Sequence, residues 1–466
     1  MTMTSSAWKY SPCLKVNSRT ALGVHCSIGD IRLLLGQRDK AEQRYRSGIR
    51  KAEAWGKPDL SARARRGLGW LLRLMGKLDE ALVEMLKAVE LYQKLGEREE
   101  EAVVTCNLGS IFEVRNDYSK AEEYYSLGYQ MAKELGFTRT MYAARSNLGN
   151  LCRNRGDYDA ALKHFEDALE LARDMEDKRV AGIIYNNMGI VYREKGDIHQ
   201  AIGCYQKRLS AAKEIGDKMG YCIVLCNLGV AHIDIKKYGE AKAQLEEFYR
   251  IALELKDKQA INYAIGNLGL VYYELGDYYQ AQEYFLKDLE LSRGRNDQRD
   301  EAIALGNLGK LYVMTGDISN AEQHFDQAIK LSRETDAKHY LCADLNHKAE
   351  ICAQTGRTAE ALDLNGEALT IATAISRPEI VFEASLLKAR LSYPAELEKS
   401  LQTFKEMLED KLSDEEMAEV YYTMFLMNQD PTCAREALNI YQKMYESSLR
   451  HVYRLRIDEL TKAIKV

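Results

Sequence analysis

Proline is scarce: five residues in 466, too few for long irregular linkers or a Pro-rich tail. No two cysteines stand in CxxC spacing. The ten are scattered, at Cys13, Cys26, Cys106, Cys152, Cys204, Cys222, Cys226, Cys342, Cys352 and Cys433. In a chain long enough to build its own core, that pattern reads as buried free thiols in a reducing compartment. Charge of one sign is nowhere concentrated, and the net charge is only −5. A nucleic-acid groove carries a basic patch, so this balance argues against one. The opening stretch "MTMTSSAWKYSPCLKVNSRT" has no apolar h-region and is not a secretory signal. No apolar run reaches the roughly 18 residues of a membrane span. The expectation is a cytoplasmic protein without membrane contact.

Chemistry-bearing motifs are also missing. There is no P-loop, HExxH, GxSxG or Gly-rich phosphate loop. The eight histidines are not clustered. Cys222 and Cys226 stand four apart with His232 following, too few ligands for a metal site. Cys106 occupies the same repeat position as Cys226, where Gly266 and Gly306 also sit. That position asks for a small residue rather than a ligand. Tyrosine is abundant, but Tyr192, Tyr272 and Tyr312 fall at core positions, so base stacking is the minor reading. The expectation is no catalytic residue, no metal and no cofactor.

What the chain does have is a repeat. Gly29, Gly69, Gly109, Gly149, Gly189, Gly229, Gly269 and Gly309 are spaced by 40, and Ala349 continues the series. Seven residues after each marker stands a turn residue: Gly36, Gly76, Asn116, Gly156, Gly196, Lys236, Gly276, Gly316 and Gly356. Gly and Asn close helices in the left-handed conformation, and Lys236 is the poor fit. Five residues further comes an invariant alanine, from Ala41 and Ala81 to Ala321 and Ala361. A large apolar residue follows four later in most copies, as at Tyr125, Phe165, Tyr205, Phe285 and Phe325.

These anchors describe two antiparallel helices per repeat, A carrying the glycine and B the alanine. Asp177, Asp217, Asp257 and Asp297, twelve before their markers, read as N-caps of helix A.

The NLG and GDY signatures with a small Ala and a late aromatic resemble the tetratricopeptide repeat family, whose usual period is 34. The 40-residue form, and "CYQKRLSAAKEIGDKMG" at 204–220, are similar to the LGN/Pins adaptor group. The resemblance implies an all-α, right-handed superhelical solenoid of antiparallel helix pairs. Nine repeats are expected over 18–375. Residues 1–17 are expected to be a poorly ordered leader. Residues 376–466 are expected to hold two degenerate helical pairs and a capping helix, because a solenoid must cover its last apolar face.

In this family helix A lines the concave surface, and the Asn two before the marker commonly bonds a partner. Here those residues are Asn107, Asn147, Asn187, Asn227, Asn267 and Asn307, with His347 in the ninth copy. Amides that both donate and accept suit an extended peptide with unpaired backbone groups. The same Asn could instead bond a neighbouring helix and set repeat geometry. Two turns on, sharing the face, stand Asn154, Glu194, Asp234 and Glu274. The LGN/Pins group has Arg six before the marker, whereas here stand Val103, Ala143, Ile183, Ile223, Tyr263 and Ile303. The expected partner is therefore a protein or peptide segment that is basic or neutral, with apolar anchors. The leading functional expectation is a non-enzymatic scaffold that binds it in the groove. The alternative is a regulatory sensor module of a larger signalling ATPase, kinase or nucleotide cyclase system. RNA binding is a third possibility and needs a basic groove.

Overall fold

A computed structural model describes residues 37–392, 397–409 and 412–464. The expected leader and the first helix A, with Gly29 and Gly36, lie outside the described residues. Among those described there are 22 helices. From Arg38–Ala54 to Thr358–Ala374 they run 17 or 18 residues each.

The chain turns with unusual regularity. A residue of positive φ falls every twenty residues from Gly56 to Ser376 without a gap. One set is the turn series read from the sequence, including Asn116 at φ 60° and Lys236 at φ 58°. The other set lies between repeats, at Gly56, Gly96, Gly136, Glu176, Gly216, Lys256, Asn296, Asp336 and Ser376. It was not anticipated, because five of its nine members are not glycine. Helix starts are fixed just as regularly. The carboxylates of Asp177, Asp217, Asp257 and Asp297 accept backbone N–H bonds at the starts of their A helices. Asp117, Asp157, Asp197, Asp277 and Asp317 do the same for B helices, each satisfying a donor that the first helical turn leaves free.

Close packing explains the marker glycine. A Cβ added at Gly69, Gly109, Gly149 or Gly309 would stand 2.7 to 2.9 Å from Met85, Tyr125, Phe165 or Phe325. Those side chains are essentially fully buried, so they have nowhere to retreat. The exception supports the rule: where Ala349 replaces the glycine, Asn365 replaces the large apolar partner. The helix-B alanines from Ala41 to Ala361 are fully buried.

The described residues fall into two compact units that divide between Asn227 and Leu228. Within the first, the A helices Arg98–Val114, Thr138–Asn154 and Lys178–Lys195 touch one another in succession. Within the second, Gln298–Thr315, Lys338–Gln354 and Pro378–Leu391 do so. Successive B helices make no comparable contact among the described residues. In each unit the A helices therefore line the inner side of the curve. Past Ser376 the second unit continues through Pro378–Leu391, Leu397–Glu409, Asp414–Asn428, Pro431–Ser448 and His451–Ile464. The last four of these share a core built on Phe404, Tyr422, Phe425, Tyr441 and Tyr453.

Candidate interaction site

The recurring Asn stands on the A helices, but its six copies do not behave alike. Asn187 and Asn227 are buried, at 1% and 4% exposure. Asn227 Nδ2 donates to Asn186 Oδ1 at 2.8 Å. Asn267 Nδ2 turns back to the Tyr263 carbonyl of its own helix at 2.7 Å. Asn107, Asn147 and Asn307 make no side-chain hydrogen bond among the described residues, and Asn147 and Asn307 are half-buried. His347, in the ninth copy, stacks on Phe325 with ring centroids 5.8 Å apart. Asn227 thus bonds a neighbouring helix and Asn267 its own, while the amides of repeats three, four and eight are uncommitted.

The second row, two turns on, is engaged within the protein. Asn154 Nδ2 donates to Glu113 Oε1 at 2.9 Å and its Oδ1 accepts from Arg153 at 3.0 Å. Glu194 stands 3.6 Å from Arg153 Nε. Asp234 is exposed. Glu274 is held most firmly. It accepts from Arg450 Nε and from Arg450 Nη2, the latter at 3.4 Å, across 176 residues of chain.

Arg450 belongs to a clasp that sequence reasoning missed. Its guanidinium also donates to Glu415 and lies 5.3 Å from the centre of the Tyr453 ring. The Tyr453 hydroxyl donates to Glu415 Oε1 at 2.8 Å. Lys236, the misfit of the turn series, pairs with Glu415 as well. Next in the chain, the His451 ring meets Tyr278 edge-on at 5.5 Å. It covers Gly276 so closely that a Cβ there would stand 2.8 Å from the His451 Cβ. Burial works against the Arg450 charge, and the Glu274 carboxylate more than offsets it, so the Arg450 pKa is raised. The one sequence signal was Lys236 itself: a lysine where a turn prefers glycine needs a reason of its own.

A second polar cluster lies on the A helices of repeats eight and nine. Asp344 is 4% exposed, and its Oδ2 has no hydrogen-bond partner. Its carboxylate fills the space that Gly306 leaves, where a Cβ would stand 2.6 Å from Oδ1. Burial pushes the Asp344 pKa up to about 7, with Lys310 acting in the opposite sense. Burial likewise lowers His347 to about 3.

Among the described residues no group of three or more His, Cys, Asp or Glu is placed to hold a metal ion, and no helix is long and apolar enough to cross a membrane. The eight described cysteines are free thiols. A surface cleft of about 230 Å³ is lined by Tyr129, Arg145, Leu171 and three carboxylates. Its charge is already engaged, with Arg145 stacked on Tyr129 at 4.2 Å and 3.5 Å from Asp167.

The tetratricopeptide repeat family model matches residues 60–134, 140–214, 180–254 and 260–334, together more than half of the chain. The chain belongs to the tetratricopeptide repeat family. Comparison with curated proteins finds no match. Among solved structures, the array is similar to a Signal Transduction ATPase with Numerous Domains (STAND) protein with a tetratricopeptide repeat sensor from Pyrococcus horikoshii. The TM-score is 0.56 at 14% identity, over 70% of this chain and 50% of that one. This chain thus spans half the length of that protein. The apo quorum sensor NprR from B. thuringiensis is similar at TM-score 0.49 and 16% identity, over 66% of this chain and 87% of that one. At such identities the likeness speaks for the fold alone. The tetratricopeptide array is an all-α solenoid of helix pairs.

Proposed function

We propose that this array is a non-enzymatic, cytoplasmic scaffold, of the kind represented by the LGN/Pins adaptors. It binds an extended, basic or neutral polypeptide segment along the inner faces of its A helices. The observation that carries this reading is the set of uncommitted amides at Asn107, Asn147 and Asn307. Within the first unit, Asn107 and Asn147 recur at one position of neighbouring A helices. An amide there can donate to and accept from a backbone that has left water without partners. Asn187, Asn227 and Asn267 are also part of the row, with Asn227 and Asn267 holding geometry as well. Asn154, Glu194, Asp234 and Glu274 supply a neighbouring polar and acidic row, and Glu274 already accepts a guanidinium. The free thiols suit a reducing compartment.

The test is an array of extended twelve-residue peptides sorted into basic, neutral and acidic sets. Wild type is compared with the Asn107→Ala/Asn147→Ala/Asn307→Ala variant and with Asn227→Ala as a packing control. Binding of basic or neutral peptides should be lost in the triple variant, while its melting curve stays unchanged. Equal binding by both proteins, or a preference for acidic peptides, would refute the reading.

The second reading is a sensor module of a larger signalling ATPase. It is favoured by the extent of likeness to the STAND protein, 70% of this chain against half of that one. Co-purification of an ATPase with the tagged chain from its native cells, tested by direct binding of the purified pair, distinguishes the two.

A further inference from the structure

The clasp at Arg450 joins parts of the second unit that are 176 residues apart, and its chemistry is specific. Two carboxylates, Glu274 and Glu415, face one guanidinium. An aromatic ring lies beside it at Tyr453, and Lys236 balances the second carboxylate. A planar fork of N–H donors fits such a site better than the point charge of an ammonium. Glu274, at 11% side-chain exposure, is the most enclosed of its charged members. It is also one of the four residues of the polar row on the inner A-helix face.

The element that fills this site is a turn rather than a packed helix. Leu449 ends the helix Pro431–Ser448 with φ 54°, a conformation that costs a branched residue. Its side chain is 52% exposed. Arg450 and His451 reach the repeats through ion pairs, one ring edge and the face of Gly276. The apolar core of the terminal helices is built on Phe404, Tyr422, Tyr441 and Tyr453, and it meets the clasp at Tyr453. Opening this contact would expose little apolar surface, so its strength is mainly electrostatic.

We infer that the Leu449–Arg450–His451 turn is a competitor built into the chain. It occupies the guanidinium-binding position at Glu274 and Glu415, and an arginine-bearing partner segment takes that position by displacing it. The inference deepens the reading above, that a polypeptide binds the inner face, and it names what that polypeptide must carry. It also accounts for Lys236: once Arg450 leaves, that lysine keeps Glu415 paired and Glu274 becomes the open acceptor.

The test uses the full chain. Arg450→Ala empties the site. Arg450→Lys and Glu274→Gln serve as milder variants should the alanine form fold poorly. Hydrogen exchange over His451–Ile464 should rise in Arg450→Ala with no change over Arg98–Lys195. N-ethylguanidinium should restore protection and raise the melting temperature, while ethylammonium at the same ionic strength should not. Rescue should fail in Arg450→Ala/Glu274→Gln. An extended Gly-Ser-Arg repeat peptide should then bind Arg450→Ala about tenfold more tightly than wild type, a difference of about 1.4 kcal/mol. Unchanged exchange, or rescue by both cations alike, overturns the guanidinium site. Equal peptide affinity for the two proteins overturns the competitor role. Rescue without peptide binding to either protein supports the site but sinks the peptide reading, so the two failures are separable.

Discussion

Asp344 is the least comfortable charge described in this protein, and replacing it should stabilise the second unit in a pH-dependent way. Its carboxyl is buried, one oxygen is unpartnered, and its pKa rises from 3.8 to about 7. Below pH 4 both folded and unfolded chains hold the proton, and the group contributes nothing to the difference. As pH rises, the unfolded chain gives up its proton first. The folded state then binds more protons than the unfolded one, and stability falls until the folded group also ionises near pH 7. The full loss, for a shift of about 3 units, is about 4 kcal/mol. Asp344→Asn removes the titration while keeping the volume. Its gain over wild type should grow from about 2 kcal/mol at pH 5 to about 4 kcal/mol at pH 8. His347 acts in the opposite window. Held neutral with a pKa of about 3, it costs stability as pH falls below 6.5. It is present in both proteins and cancels from the comparison. Urea unfolding by circular dichroism at pH 5, 6.5 and 8 measures the difference. A gain that does not change with pH, or a loss that grows with pH, would refute the reasoning.

Four further outcomes follow from the packing and the turns. Gly109→Ala would press a methyl 2.7 Å from Tyr125 and 3.1 Å from the Ala121 carbonyl. It should cost about 1–3 kcal/mol in urea unfolding. Lys256→Gly should gain about 0.5–1 kcal/mol in the same assay, because the exposed lysine holds φ at 53° where glycine is unstrained. Arg208→Ala should cost about 3–5 kcal/mol, because it leaves Asp217, only 9% exposed, without the guanidinium that pairs with it at 2.7 Å. Gly182 and Gly220 pack against that guanidinium, so an alanine at either position should lower the melting temperature as well.

The fold was legible because nearly every repeat restates the same anchors. A glycine against an aromatic, an alanine in helix B and an aspartate cap each recur at 40, and the structure uses them as their chemistry dictates. The second turn series was missed because Glu176, Lys256, Asp336 and Ser376 carry no sign of a left-handed backbone; position alone, twenty residues from the first series, would have found it. At the candidate site the sequence located the Asn and acidic rows but not their bonds. A period names a face, and it cannot tell Asn227, bonded to Asn186, from Asn147, bonded to nothing described. Arg450 was out of reach because no local pattern links residues 176 apart. Asp344 was within reach. The residue five before the marker is Ala, Val or Ile from Ala64 to Ala304, and an acid in such a column announces a buried charge.

The Arg450 contact also bears on how this chain could change in length. An open array can gain or lose a repeat and keep every remaining interface, because each unit meets only its neighbours. In the second unit Glu415, Arg450 and His451 are tied back to Lys236, Glu274 and Gly276. Inserting forty residues between Asp277 and Ser413 would carry Glu415 and Arg450 one repeat further along the curve and away from their partners. The number of repeats in that stretch is therefore locked by a contact outside the repeats themselves, and duplication there would first have to break the clasp.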